Sequence, residues 1–227
     1  MPHKEKSRSN SNKKLNAIIE KSSAIVTSIL EAIQLLQAYY RLLIEIAFSQ
    51  TASSANSQAQ IRAYQNRLVQ QTRIAGNVFS RYYGPTVGSQ IQALFAQVFG
   101  NIGQIIQLVT LTGGNPNDPR LMAGLNQFLQ AFDQIALILA NANPFIDSQT
   151  LRTLFENCVR AVFNETITYF NTVNSSRPNW ASEVATSDAE FRAFFALNNY
   201  IGTKTAIFVL NKKTNKRKDE DSSSDSD

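Results

Sequence analysis

A single cysteine and a single histidine in 227 residues exclude several kinds of chemistry at once. Cys158 alone forms no internal disulfide and no cysteine-based zinc site. His3 sits in a polar N-terminal stretch, so no histidine-based triad or acid–base pair can be assembled in the body of the chain. No segment shows sustained period-two alternation, which leaves no candidate strand. Long uninterrupted apolar runs are missing as well. The longest greasy helix, around Ala24 to Phe48, is broken up by Glu31, Gln34, Gln37, Arg41 and Glu45, so no membrane span is expected there. The N-terminus "MPHKEKSRSNSNKK" is not followed by the apolar region of a secretory signal. A soluble intracellular protein is the expectation.

Charge is scarce too, at 17% of residues, while 21 Asn and 17 Gln take over much of the wetting of the surface. An amide surface repels itself weakly and suits packing against other proteins; codon usage in an AT-rich genome would also produce it. The net charge of +5 is concentrated at the ends. Residues 1–14 hold five Lys/Arg against Glu5, and residues 15–210 hold twelve against eleven acids. Residues 212–218 then hold five Lys/Arg and residues 219–227 five acids. The body is nearly neutral, which argues against a basic nucleic-acid face on it.

What is present is helical periodicity over most of the chain. Ile18, Ile25, Ile29, Ile33, Leu36, Tyr40, Leu43 and Ala47 mark a first helix from Leu15 to Ser49, one long helix or two in tandem. A second runs from about Ser57 to Tyr83 with Ile61, Leu68, Ile74 and Val78 inward, stopped by Gly84-Pro85. A third starts near Thr86 and continues to Val109. After the loop "TGGNPNDP", Asp118 and Pro119 form a cap and first turn for a fourth, which "NANPF" ends. Asp147 or Ser148 caps a fifth, and a sixth runs from about Trp180 to Leu210 with a break expected near Gly202. The fold class is all-α: an antiparallel bundle of about six helices, residues 15–210, between a disordered basic arm (1–14) and a disordered basic-then-acidic tail (211–227).

An internal repeat at an offset of 60 matches Asn66 with Asn126, Gln70 with Gln130, and Leu94-Phe95 with Leu154-Phe155. Tyr83-Gly84-Pro85 lies opposite Asn143-Pro144-Phe145. It implies two helical hairpins related by a pseudo-twofold.

"GNVFSRYYG" (76–84), "DQIALILANANP" (133–144), and "NW" (179–180) followed by Glu183, Val184 and Asp188 resemble a family of small bacterial all-helical proteins. Its motifs read G-N-A-I-x-x-Y-Y-G, D-E-I-A-x-F-L-x-x-A-N-P and D-W-x-x-D-I-x-x-Y-D. The resemblance covers about Leu35 to Ile201 and implies a fold more than a function. Its signature positions here are Gly76, Asn77, Tyr82, Tyr83, Gly84, Asn143, Pro144 and Trp180. Members of that family carry one histidine on each of four helices, a set that implies a metal or proton-handling site in the bundle core. Aligned without gaps, those positions fall on Tyr39, Val98, Cys158 and Phe191. Val98 and Phe191 offer a metal no lone pair, so the expectation is a core where the family would hold a site.

The other candidates are thin. Cys158 lies on the Leu154/Phe155/Val162 stripe without a histidine, which favours an inert buried thiol over a nucleophile. Glu183, Asp188 and Glu190 suit the positive end of the sixth helix. "TGGNPNDP" lacks the Lys-Ser/Thr of a phosphate-cradling loop. Phe155, Phe163, Tyr169, Phe170, Phe191, Phe194 and Phe195 line a ligand cavity or form plain core. Leu15 to Leu30 packs on a partner or extends the bundle. In the tail, "KKTNKRK" resembles a nuclear-import or nucleic-acid-contact patch, and Ser222 and Ser224 sit three residues before acids as phosphorylation sites. Such a tail on an amide-rich bundle points to a large DNA virus of a eukaryotic host, with the virion or nucleus as the location.

These features predict a non-enzymatic bundle that acts through protein–protein packing or self-association, a structural virion component among its settings, with no cofactor. The alternatives are a bundle that binds a metal or small apolar ligand, and nucleic-acid contact through the tails alone.

Overall fold

The computed structural model describes residues 3–49 and 55–223. Among these it is all helix: α1 (His3–Ala47), α2 (Ala55–Tyr83), α3 (Pro85–Gly100), α4 (Ile102–Leu111), α5 (Pro119–Ala142), α6 (Ser148–Val173) and α7 (Trp180–Ser223). The expected third helix is α3 and α4 together, one rod interrupted at Asn101. There the helix tightens to a single short-range bond, Asn101 N–H to the Val98 carbonyl at 3.3 Å. Gly100 and Gly103 flank Asn101, and all three residues are weak helix formers.

Helix starts follow local chemistry. Asp118 Oδ1 accepts from Arg120 N–H at 2.9 Å, with Pro119 opening α5. Asp147, not Ser148, caps α6, its Oδ2 accepting from Thr150 N–H at 2.7 Å. Each cap satisfies a backbone donor left over at the helix start and contributes about 1 kcal/mol.

The six rods close into a ring. α1 packs on α2, α2 on α3, α3 on α5, α5 on α6, α6 on α7, and α7 on α1. Neighbours run antiparallel. Ala32 faces Gln71 and Ser28 faces Tyr82 across α1–α2, while Gln37 faces Glu190 and Arg41 faces Glu183 across α1–α7. An even number of rods lets an alternating ring close without a parallel pair. All seven helices feed one core, whose largest fully buried side chains include Ile29, Leu43, Leu68, Phe79, Ile91, Leu121, Ile135 and Leu151.

Several expectations are corrected. The helix is not broken near Gly202: α7 runs through it, and the missing side chain lets Val26 of α1 approach, since a Cβ there would lie 3.2 Å from Val26 Cα. Ile74 is exposed; the inward face of α2 carries Leu68, Gln71, Thr72, Ala75 and Phe79 instead. That face turns in because Gly76 must meet α3. A Cβ on Gly76 would sit 2.7 Å from Gln92 Cβ, and one on Gly88 would run into Ser80 and come 2.5 Å from the Gly76 carbonyl. Helix α1 is described from His3 and α7 as far as Ser223. No Gly or Pro separates residues 3–14 or 211–223 from the bundle helices, and extending a helix needs no new nucleus. Ser222 lies in that last stretch; Ser224 lies outside the described residues.

The third rod has a membrane-like composition, although the sequence reading expects no long apolar run. Pro85–Leu111 spans 27 residues at mean hydropathy 1.4, long and apolar enough to cross a membrane by length and composition. In the bundle its Ile91, Phe95, Val98, Ile102, Ile105 and Val109 face the core.

Candidate functional site

Inside the ring, α1, α6 and α7 share a buried polar seam. On α7, Glu183, Ser187 and Glu190 fall at four- and three-residue steps, one inward face. Opposite stand Gln37, Tyr40 and Arg41 of α1, and Glu165 and Thr166 of α6. Gln37 Nε2 donates to Glu190 Oε1 at 2.9 Å. The Tyr40 and Thr166 hydroxyls share a hydrogen bond of 2.7 Å. Arg41 holds the charged end together: its Nη2 lies 3.3 Å from Glu183 Oε1 and 4.0 Å from Glu165 Oε1, and its Nε lies 3.2 Å from Glu45 Oε1.

Charge does not balance here. Glu165, Glu183 and Glu190 are all buried, against one guanidinium. Burial first, then the charge of Glu190, pushes the Glu165 carboxyl up to about 8, although Arg41 pulls the other way. Burial also raises Glu190, opposed by its bond from Gln37 and by Arg41. Glu165 Oε2, Glu190 Oε2 and both amide atoms of Asn198 have no hydrogen-bond partner among the described residues. The sequence reading put Glu183 and Glu190 at the helix terminus for the dipole. The structure turns both inward, Glu183 onto Arg41 and Glu190 onto Gln37.

Next to the seam lies an apolar cavity of about 50 Å3 at the centre of the ring. Tyr40, Val98, Phe128, Phe155, Cys158 and Phe194 are among its walls. Burial, with the nearby Glu190 charge, holds the Cys158 thiol protonated. Among the described residues no group of three or more His, Cys, Asp or Glu is arranged to hold a metal ion.

The four positions taken from the family alignment do not converge. Val98 and Cys158 share the cavity. Tyr39 lies outside it, its ring 6.3 Å from Tyr64 and its hydroxyl accepting from Arg67 Nε at 3.2 Å. Phe191 is on the outer face of α7, where Arg41 lies 5.6 Å from its ring centre. Val98 and Cys158 are thus core residues, while on α1 and α7 it is the neighbouring Tyr40 and Phe194, among others, that reach the cavity. The aromatic set is split in the same way, with Phe155, Phe163 and Phe194 inside and Phe191 and Phe195 outside.

Of the signature residues, Tyr82, Tyr83, Gly84, Asn143 and Pro144 form the corner that closes the ring. Gly84, at φ 93°, ends α2, and Pro85 opens α3. The Tyr82 hydroxyl meets Ser28 Oγ at 2.7 Å, and the Tyr83 hydroxyl meets Thr205 Oγ1 at 2.6 Å. The partners are side-chain hydroxyls of the two terminal helices. Buried Asn143 donates to the Tyr83 hydroxyl and to the Lys204 carbonyl, both at 3.1 Å, and accepts from Phe145 N–H at 3.0 Å. Asn77 adjoins Gly76 on α2, Pro144 follows Asn143 in the turn, and Trp180 opens α7, half exposed.

The sequence reading did not identify the outer face of α7. Trp180, Val184, Phe191 and Phe195 are 52%, 56%, 55% and 62% exposed, unusual for such residues in one stripe. Leu15, Ile18 and Ile19 are also more than or about half exposed, at the start of α1, whereas Ile25 and Ile29 enter the core. Leu15 to Leu30 therefore divides between the two expected roles.

No protein-family model, no curated protein and no solved structure matches this chain.

Proposed function

We propose that this chain is a non-enzymatic helical bundle that acts by packing against protein. The observation that carries the reading is the apolar stripe Trp180, Val184, Phe191 and Phe195 on the outside of α7. Burying such a stripe contributes roughly 25 cal/mol per Å2, and only a partner of comparable length can cover it. The amide-rich, weakly charged surface around it supports the same role, and a particle or scaffold is a fitting setting. In-solution crosslinking of the purified protein, compared with a Phe195→Lys variant, tests this. The reading expects crosslinked products that the variant loses. A protein that stays monomeric and crosslinks to nothing would overturn it.

A second reading, binding of a small apolar ligand, is favoured by the cavity beside Val98 and Cys158. Xenon is an apolar probe of suitable size. Chemical-shift changes confined to the cavity-wall side chains would support it; no change under xenon pressure would remove it.

A further inference from the structure

We infer that the outer face of α7 pairs with the same face of a second copy of this chain, antiparallel, about a twofold axis level with residue 190. This rests on the packing function proposed above and names its partner. The outward positions of α7 are Ala181, Val184, Ala185, Asp188, Ala189, Phe191, Arg192, Phe195, Ala196 and Asn199, all exposed. Four are alanine, three are large and apolar, and only Asp188 and Arg192 are charged. Within one chain those two lie 3.8 Å apart, both largely in solvent.

In an isologous pair, residues equidistant from the axis face one another. With the axis at 190, Phe195 lies over Ala185 of the second copy along the seam, while Val184 and Phe191, which share one flank of the face, come beside the second copy's Phe195 and Phe191. The large apolar side chains of both copies thus gather on one flank and the alanines on the other, where the backbones can approach closely. Asp188 faces Arg192, and the twofold makes that ion pair twice. A parallel arrangement would instead set Asp188 on Asp188, a like-charge contact. The charge pairing of Asp188 with Arg192 and the apolar flank that the two copies share single out a second copy in this register. The stretch from Ala181 to Asn199 is about 28 Å long at 1.5 Å per residue.

The test is the mass of the full chain in solution by sedimentation velocity, with far-UV circular dichroism to show that each variant is folded. The wild type should sediment at twice the 25.3 kDa chain mass. Phe195→Glu should be monomeric. Asp188→Arg and Arg192→Asp should each weaken the homodimer by about tenfold or more, because like charges then face each other across the axis. Mixing the two single variants should restore a heterodimer, since the introduced Arg at 188 then meets the introduced Asp at 192 on one side of the axis and native Arg192 meets native Asp188 on the other. A wild-type dimer indifferent to Phe195→Glu, or a mixture that does not re-pair, overturns the inference. A monomeric wild type that still crosslinks a different protein through this face overturns self-pairing and leaves the packing function standing. A monomeric wild type that crosslinks to nothing overturns both.

Discussion

The Tyr83 hydroxyl accepts from the Asn143 amide at 3.1 Å, joining two residues that stand at matching positions of the offset-60 repeat. Tyr83 ends α2 and Asn143 follows α5, so the two hairpin corners touch directly. Thr205 of α7 shares the Tyr83 hydroxyl, and the Lys204 carbonyl shares the Asn143 amide. The last helix is thereby locked to both corners.

Asn143→Ala should be the costlier change at this corner. It removes three hydrogen bonds from a fully buried side chain and leaves the Phe145 N–H without its acceptor, a loss of about 2 to 4 kcal/mol. Tyr83→Phe keeps the ring stacked on Phe208 and should cost about 1 to 2 kcal/mol. Urea unfolding measures both.

Gly88→Ala should destabilise by about 3 kcal/mol, because the new methyl meets Ser80 and the Gly76 carbonyl and must push α2 and α3 apart. Gly84→Ala faces open space and should cost only the strain of φ 93°, about 1 to 2 kcal/mol. Thermal unfolding of the two variants should rank them in that order.

Stability should fall as pH rises from about 4.5 towards 8. The Glu165 carboxyl is raised from 4.5 to about 8 in the fold, so the native state holds a proton that the unfolded chain has released in this window. Stability is greatest where both states are protonated and declines until the native carboxyl also ionises. Glu190, raised by burial, adds in the same direction. Glu165→Gln should flatten the decline and raise the melting temperature at pH 8 by a few degrees relative to wild type. A melting temperature that rises across the window would contradict this assignment.

The Cys158 thiol should react with a maleimide only as the whole bundle opens. It is buried against the cavity and held protonated, so its labelling rate in increasing urea should track global unfolding. Rapid labelling in native buffer would show that the cavity communicates with solvent.

Arg41→Met should cost about 1 to 3 kcal/mol, since the buried Glu183 carboxylate would lose the partly exposed cation that faces it at 3.3 Å. Combining it with Glu183→Gln should recover part of the loss, which a double-mutant cycle reads directly.

Much of the fold was legible from local chemistry. The stop at Gly84-Pro85, the caps at Asp118 and Asp147, and the apolar repeats of α1, α5 and α6 each depend on a few neighbouring residues. The seam was not legible. Glu183 and Glu190 look like dipole partners at a helix start, and only Arg41 and Gln37, some 140 to 150 residues away, make their burial tolerable. The alignment with the resembled family could not place its four positions either. One residue on α1 and three on α7 separate Tyr39 and Phe191 from the cavity-facing Tyr40 and Phe194.

By itself the sequence determined the all-helical class, the number of rods and most of their ends, because helical periodicity, capping and chain stops act within one or two turns. The tertiary structure decided which way α7 faces. That helix is apolar on two sides, with Leu197 and Ile201 on one and Val184, Phe191 and Phe195 on the other, so its own periodicity selects neither. The close approach of Gly202 to Val26 and the pairing of Glu190 with Gln37 turn the first side in. The second side is left to solvent, where a partner can cover it.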